Sequence, residues 1–169
     1  KDISSFSVKG SLFYQSTSCP VKDAYLKIDG ENVIVNGMPA QTDATGIFDI
    51  QVPIGNHVIT IDQSGHVYSV GRFPSSGSYN FQEDMAGINF QDSTLVKVVG
   101  RVVGGLREAS KIPGLGKSVN NIGMAEIVFT SQAGNGCSTH VIQTDPETGE
   151  YVVYMPPMKY IPSVKILNN

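Results

Sequence analysis

Short runs of alternating apolar and polar residues, separated by turn signals, fill most of the chain. Ala24, Leu26 and Ile28 fall on one face of a run in which Tyr25 and Lys27 take the other. That period of two marks a half-buried strand. Phe48, Ile50 and Val52 repeat the pattern, and further strands are expected at residues 57–61 and 65–70. Residues 7–14 alternate loosely and carry Val8, Leu12 and Phe13. Residues 32–35 lead into Asn36-Gly37, a dipeptide suited to the two positive φ angles of a type I′ hairpin turn. About seven short strands at such spacing predict a sandwich or barrel. No segment sustains a helical period. The best helix candidate, residues 106–111, is short and closed off by Pro113.

The pattern is written twice. Gly10, Val21-Lys22-Asp23-Ala24, Asn36-Gly37, Thr42-Asp43-Ala44-Thr45-Gly46-Ile47-Phe48 and Val52-Pro53 form the first copy. Gly100, Ile122-Gly123-Met124-Ala125, Asn135-Gly136, Thr144-Asp145-Pro146-Glu147-Thr148-Gly149-Glu150-Tyr151 and Met155-Pro156 form the second. Internal self-similarity defines the structural unit. It predicts an all-β chain of two tandem β-sandwich modules, at residues 1–72 and 97–169. Residues 73–96 are expected to be a connector with a packed strand, since Phe81, Ile88 and Phe90 are too apolar for a free linker.

The spacings locate two differences. Gly10 to Ala24 is 14 positions, whereas Gly100 to Ala125 is 25. The second module therefore carries a longer loop within residues 104–121, where function would concentrate on a rigid sandwich. The first module also has residues 65–70 beyond its strand at His57, whereas the chain ends at Asn169 soon after the equivalent strand at Tyr160. The second module is read as truncated, lacking its last strand. Either the chain is a piece of a longer polypeptide or a partner strand completes the sheet.

Composition narrows the functional classes. Hydrophobic content of 40% against 16% charged residues indicates a globular chain. A net charge of −3 with scattered Lys and Arg argues against nucleic-acid binding. No apolar run reaches the length of a membrane span. The first residue is Lys1, so a processed or excised product is expected. Cys19 and Cys137 occupy non-equivalent places in the two copies and make no disulfide framework. Two free thiols are expected, with a bridge between the modules left open.

Candidate chemistry is sparse. Gly114-Leu115-Gly116-Lys117-Ser118 resembles the end of a phosphate-binding loop, but Lys111 stands where the motif needs its first Gly. Asp43, Asp49, Asp145, Glu147 and Glu150 are the acids a calcium site would draw on. They stand at turns in ones and twos, and turn chemistry explains them better: an Asp side chain accepts hydrogen bonds from amides within its own turn. His57, His66 and His140 are spread out, which argues against zinc. No nucleophile elbow accompanies them, and a Cys137–His140 dyad is disfavoured. Lys9 in a first strand would need a facing Asn or Asp and a nearby acid to form an isopeptide crosslink. With no Trp, a sugar site would have to use tyrosines, of which Tyr14, Tyr25 and Tyr79 are the candidates for exposure. No catalytic, cofactor-binding or metal residue is assigned.

The repeated motif resembles the carboxypeptidase regulatory-like family, a transthyretin-like β-sandwich. Pro20-Val21-Lys22-Asp23-Ala24, Thr42-Asp43-Ala44-Thr45-Gly46-Ile47-Phe48, Val52-Pro53-Ile54-Gly55-Asn56-His57 and Ser64-Gly65-His66-Val67-Tyr68 carry it. The match covers residues 6–72 well and 97–166 less well, with Met158 standing where Gly55 does. The resemblance implies an Ig-like Greek-key sandwich acting as a non-catalytic accessory module of exported and cell-surface proteins, as in Bacteroidota. It implies an extracellular, outer-membrane-associated or periplasmic location. The expected function is to space or present other domains of a larger polypeptide. The alternatives are a glycan- or protein-binding, adhesin-like module using the 104–121 loop, and an accessory region of a surface hydrolase whose active site lies elsewhere.

Overall fold

The computed structural model describes residues 4–70, 78–103 and 124–167. It is all-β, with several sheets consistent with β-sandwich modules, and divides into two compact units, Lys1–Thr94 and Leu95–Asn169. The expected helix at residues 106–111 and the 104–121 loop lie outside the described residues.

In the first unit, one four-stranded sheet contains β1 (Ser5–Tyr14), β6 (Ile47–Pro53), β8 (Tyr68–Val70) and β10 (Met85–Asp92), in the order β6-β1-β10-β8. A second contains β2 (Tyr25–Ile28), β3 (Glu31–Asn32), β7 (Gly55–Asp62) and β9 (Ser78–Phe81), in the order β3-β2-β7-β9. β4 (Ile34–Val35) and β5 (Met38–Pro39) form a hairpin across Asn36-Gly37. The φ values of 51° and 80° there are the positive angles that dipeptide was expected to supply.

Alternation decides what is buried. On β6, Phe48, Ile50 and Val52 are buried and the residues between them exposed. On β1, the even positions Val8, Leu12 and Tyr14 are buried. Gly10 lies on the same face because β10 comes too close for a side chain. A Cβ there would sit 1.8 Å from the Ile88 carbonyl oxygen and 2.5 Å from the Phe48 ring. The segment expected as a connector contributes β9 and β10, which bury Phe81, Ile88 and Phe90 in the first unit. β10 runs parallel to β1, with Gly10 opposite Ile88 and Leu12 opposite Phe90.

In the second unit, β11 (Val96–Arg101) pairs with β14 (Glu150–Met155). β12 (Ala125–Ser131) lies between β13 (Thr139–Gln143) and β15 (Tyr160–Ile166). Ile127, Phe129 and Met155 form the buried cluster, with Val98, Val102, Ile142, Tyr151, Val153 and Tyr160 packed partly against it. The cluster draws on both sheets and so joins them. A 3-10 turn, Ala133–Asn135, precedes Gly136 in the left-handed region.

Two expectations need correction. Neither cysteine is a free thiol: Cys19 and Cys137 are both disulfide-bonded. Tyr14 is not an exposed ring but 8% exposed, because it continues the inward register of Val8 and Leu12. Tyr25 and Tyr79 do reach the surface, at 42% and 36% exposure.

Candidate functional site

The repeated Thr-Asp turn is built the same way in both units. Thr42 and Thr144 are buried, and their hydroxyl oxygens accept the amides of Ala24 and Ala125 at 3.1 and 2.8 Å. The Thr42 hydroxyl also donates to the Val21 carbonyl at 2.7 Å. The Asp43 carboxylate accepts from the Thr45 hydroxyl at 2.6 Å and from the Thr45 and Ile47 amides at 2.8 and 3.0 Å. That of Asp145 accepts from the Glu147 and Thr148 amides, both at 2.8 Å. Gly46 and Gly149 close the turns at φ of 75° and 72°, angles a side chain disfavours.

These contacts set the acidity of the two carboxyls. The Thr45 side chain, followed by the Ile47 amide, holds Asp43 below the usual 3.8. The Thr148 amide, followed by that of Glu147, does the same for Asp145. Both carboxylates are committed to their own turns. Among the described residues no group of three or more His, Cys, Asp or Glu is placed to hold a metal ion.

The histidines are separate. His57 Nδ1 lies 2.6 Å from Asp29, whose carboxylate also accepts the Val58 amide. The His57 hydrogen bond is the leading reason Asp29 is more acidic than usual. His140 Nε2 lies 3.0 Å from the Ser138 hydroxyl, and its ring meets Tyr160 edge-on. Burial lowers the His140 pKa from 6.5. Cys137 Sγ contacts the Ser131 hydroxyl and the Ala133 carbonyl. Its place in a disulfide removes the thiol that a Cys137–His140 dyad would require.

The most enclosed polar cluster joins His66 to Asp92, whose side chain is fully buried. One carboxylate oxygen of Asp92 meets His66 Nδ1, and the other accepts the Thr94 amide at 2.9 Å. The His66 ring stacks on Tyr68 at 6.1 Å and tilts against Tyr14 at 6.5 Å. Burial, reinforced by the Asp92 charge, raises the pKa of both tyrosines above 10. The Tyr68 hydroxyl donates to Gln63 at 2.9 Å. The Thr94 hydroxyl oxygen accepts the Val67 amide at 2.7 Å. Together these bonds latch residues 63–68 onto the end of β10. No sequence motif marked this cluster, because His66 and Asp92 stand 26 positions apart.

Lys9 pairs with Asp49 at 3.3 Å on the exposed face where β1 meets β6, with both side chains more than half exposed. That is a solvated ion pair. Residues 114–118, the phosphate-loop look-alike, lie outside the described residues.

No protein-family profile matches the chain, and no curated protein matches it. Among solved structures, the chain is similar to the Bacillus anthracis TIE protein, at 17% identity and a TM-score of 0.45. That match covers 98% of this chain and 29% of the other, so the chain spans under a third of that protein's solved length. A DUF3823 family protein from Parabacteroides merdae matches at 10% identity and a TM-score of 0.35, covering 91% of this chain and 81% of that one. A leucine-rich repeat protein from Bacteroides thetaiotaomicron matches at 11% identity and a TM-score of 0.26, covering 92% and 21%.

Proposed function

We propose that this chain is a non-catalytic, accessory β region of a larger exported or cell-surface protein, where it spaces or presents other domains. One observation carries the reading: among the described residues, the carboxylates and histidines that come together are spent on the fold. Asp43 and Asp145 organise turns, His66 and Asp92 latch a loop to a strand, and Asp29 holds His57 and the Val58 amide. A reactive site needs such groups aimed at a substrate position, and here they are aimed at backbone and at one another. The transthyretin-like resemblance of the repeated turn agrees with this role. Disulfide-bonded Cys19 and Cys137 fit an oxidising compartment, where such bonds persist.

Three measurements test the reading. Intact mass spectrometry of the native polypeptide in its source organism should give a mass far above the 18.1 kDa of these 169 residues. Alkylation of the unreduced, denatured protein should add no label, and reduction should expose both cysteines. A glycan and protein binding screen of the intact chain should be negative. Binding that disappears when residues 104–121 are deleted would replace the spacer role with a recognition role for that loop.

A further inference from the structure

Three turns among the described residues set a glycine after a left-handed Asp or Asn. Asp29-Gly30 joins β2 to β3, with φ of 52° and 84°. Asn36-Gly37 joins β4 to β5, with φ of 51° and 80°. Asn135-Gly136 closes the 3-10 turn, with φ of 55° and 81°. Each pair carries a latent reaction. With no side chain to hinder it, the glycine amide nitrogen can attack the side-chain carbonyl carbon of the residue before it and close a five-membered ring.

The surroundings separate the three. The Asp29 carboxylate lies 2.6 Å from His57 Nδ1 and accepts the Val58 amide at 2.9 Å. Those bonds hold it ionised, and a carboxylate resists nucleophilic attack. The Gly136 amide donates to the Ala133 carbonyl. Beside it, Cys137 is disulfide-bonded, and the Ser131 amide donates to the Ser138 carbonyl at 2.9 Å across the base of the turn. That nucleophile is occupied and its backbone is pinned.

Asn36-Gly37 has neither restraint. Among the described residues, neither the Asn36 carboxamide nor the Gly37 amide makes a hydrogen bond. β4 and β5 are two residues each and pair only with one another. Ile34, Val35 and Met38 are 58%, 42% and 69% exposed, so they pack on little. Pro39 has no amide to add to the pairing. An isolated two-stranded hairpin is marginal in water and opens locally at small cost. Opening matters to the chemistry. In a left-handed backbone the side chain and the next nitrogen lie on opposite sides of the Cα–C bond, so ring closure waits for the turn to open.

We propose that Asn36 is a site of spontaneous modification by water, reached through opening of the β4–β5 hairpin. The Gly37 nitrogen loses its proton to hydroxide and bonds to Asn36 Cγ. The Cγ–Nδ2 bond breaks, and ammonia leaves. Water then opens the cyclic imide. Cleavage of the new bond leaves aspartate. Cleavage of the original peptide bond leaves isoaspartate, with the main chain rerouted through Cβ and Cγ. No oxidant takes part. Either product sets a carboxylate among Ile34, Val35 and Met38, and isoaspartate also lengthens the main chain of the turn by one methylene. The inference rests on the turns and not on the spacer role.

The test incubates the intact chain in mildly alkaline buffer and maps its peptides by mass spectrometry, with isoaspartate read by enzymatic methylation. A parallel sample is held in enough urea to unfold the chain. In the folded chain, acid products at residue 36 should accumulate about tenfold faster than at residue 135, or more. No isoaspartate should form at residue 29 over the same period. In urea the restraints are gone, and the rates at residues 36 and 135 should agree within about twofold. The proposal is overturned if the folded chain modifies Asn135 as fast as Asn36. It is overturned if the same ratio persists in urea, since flanking sequence would then set it. It is also overturned if residue 36 reacts in urea and stays intact in the folded chain, since the hairpin would then stay closed.

Discussion

Leu26 and Ile127 hold equivalent places in the two units and are equally buried, yet the cores around them differ. Leu26 belongs to a unit that also buries Val8, Leu12, Phe48, Ile50, Ile61, Phe81, Ile88 and Phe90. Ile127 belongs to one whose buried cluster is Ile127, Phe129 and Met155. Each fully buried large apolar side chain contributes about 1.5–3 kcal/mol, so the three supplied by residues 78–92 decide much of the contrast. The turns share a frame: Thr42 and Thr144 accept the Ala24 and Ala125 amides, and Asp43 and Asp145 each accept amides of their own turn. Local turn chemistry therefore gives both units the same frame, and strands brought from farther along the chain complete the core of one.

Substitutions can break that contrast in order of size. Phe90→Ala should cost about 3–5 kcal/mol, the range for deleting a buried ring. Hydrogen exchange should accelerate in β1, β6 and β10 while β12 and β14 keep their rates. Next comes the matched pair on β7 and β15. Ile61→Ala should cost about 2–5 kcal/mol, and Val164→Ala, half exposed, less than about 0.5 kcal/mol, both measured by urea denaturation. A comparable loss at the two sites would mean that the second unit is as well filled as the first.

The glycines sharpen the point. Gly10→Ala must displace the Ile88 backbone of β10, and overpacking of this kind costs about 1–3 kcal/mol. At Gly100 the added carbon would meet the Tyr151 side chain, 2.3 Å from its hydroxyl oxygen. That ring can move where a paired strand cannot, so Gly100→Ala should cost less.

The smallest effect tests sameness. Asp43 and Asp145 both titrate below 3.8 in the folded chain. The folded state then binds fewer protons than the unfolded state, so this contribution is present above that value and is lost as pH falls through the lowered ones. Carboxyl titration by NMR should show the same direction of shift at both sites.

The Asp part of each turn was legible in the sequence because its bonds are local, spanning two to four positions. Asn36-Gly37, Gly46 and Gly149 adopt the positive φ angles their residue types favour. The place of residues 78–92 was less legible. Ile88 and Phe90 announce burial, but nothing local says that their strand joins β1, across more than seventy positions and in parallel. Tyr14 was misjudged because the loose alternation of residues 7–14 hid an unbroken inward register on the even positions. The cysteines were misjudged because Cys19 and Cys137 break the repeat, and thiol partners are set by distance in space. His66 and Asp92 were missed for the same reason.

The most direct test is native-state hydrogen exchange on the unmodified chain, resolved strand by strand. The account predicts that β1, β6 and β10 exchange markedly more slowly than β11 and β15. Equal protection in the two sets, or slower exchange in β11 and β15, would contradict the claim that residues 78–92 give the first unit the larger core among the described residues.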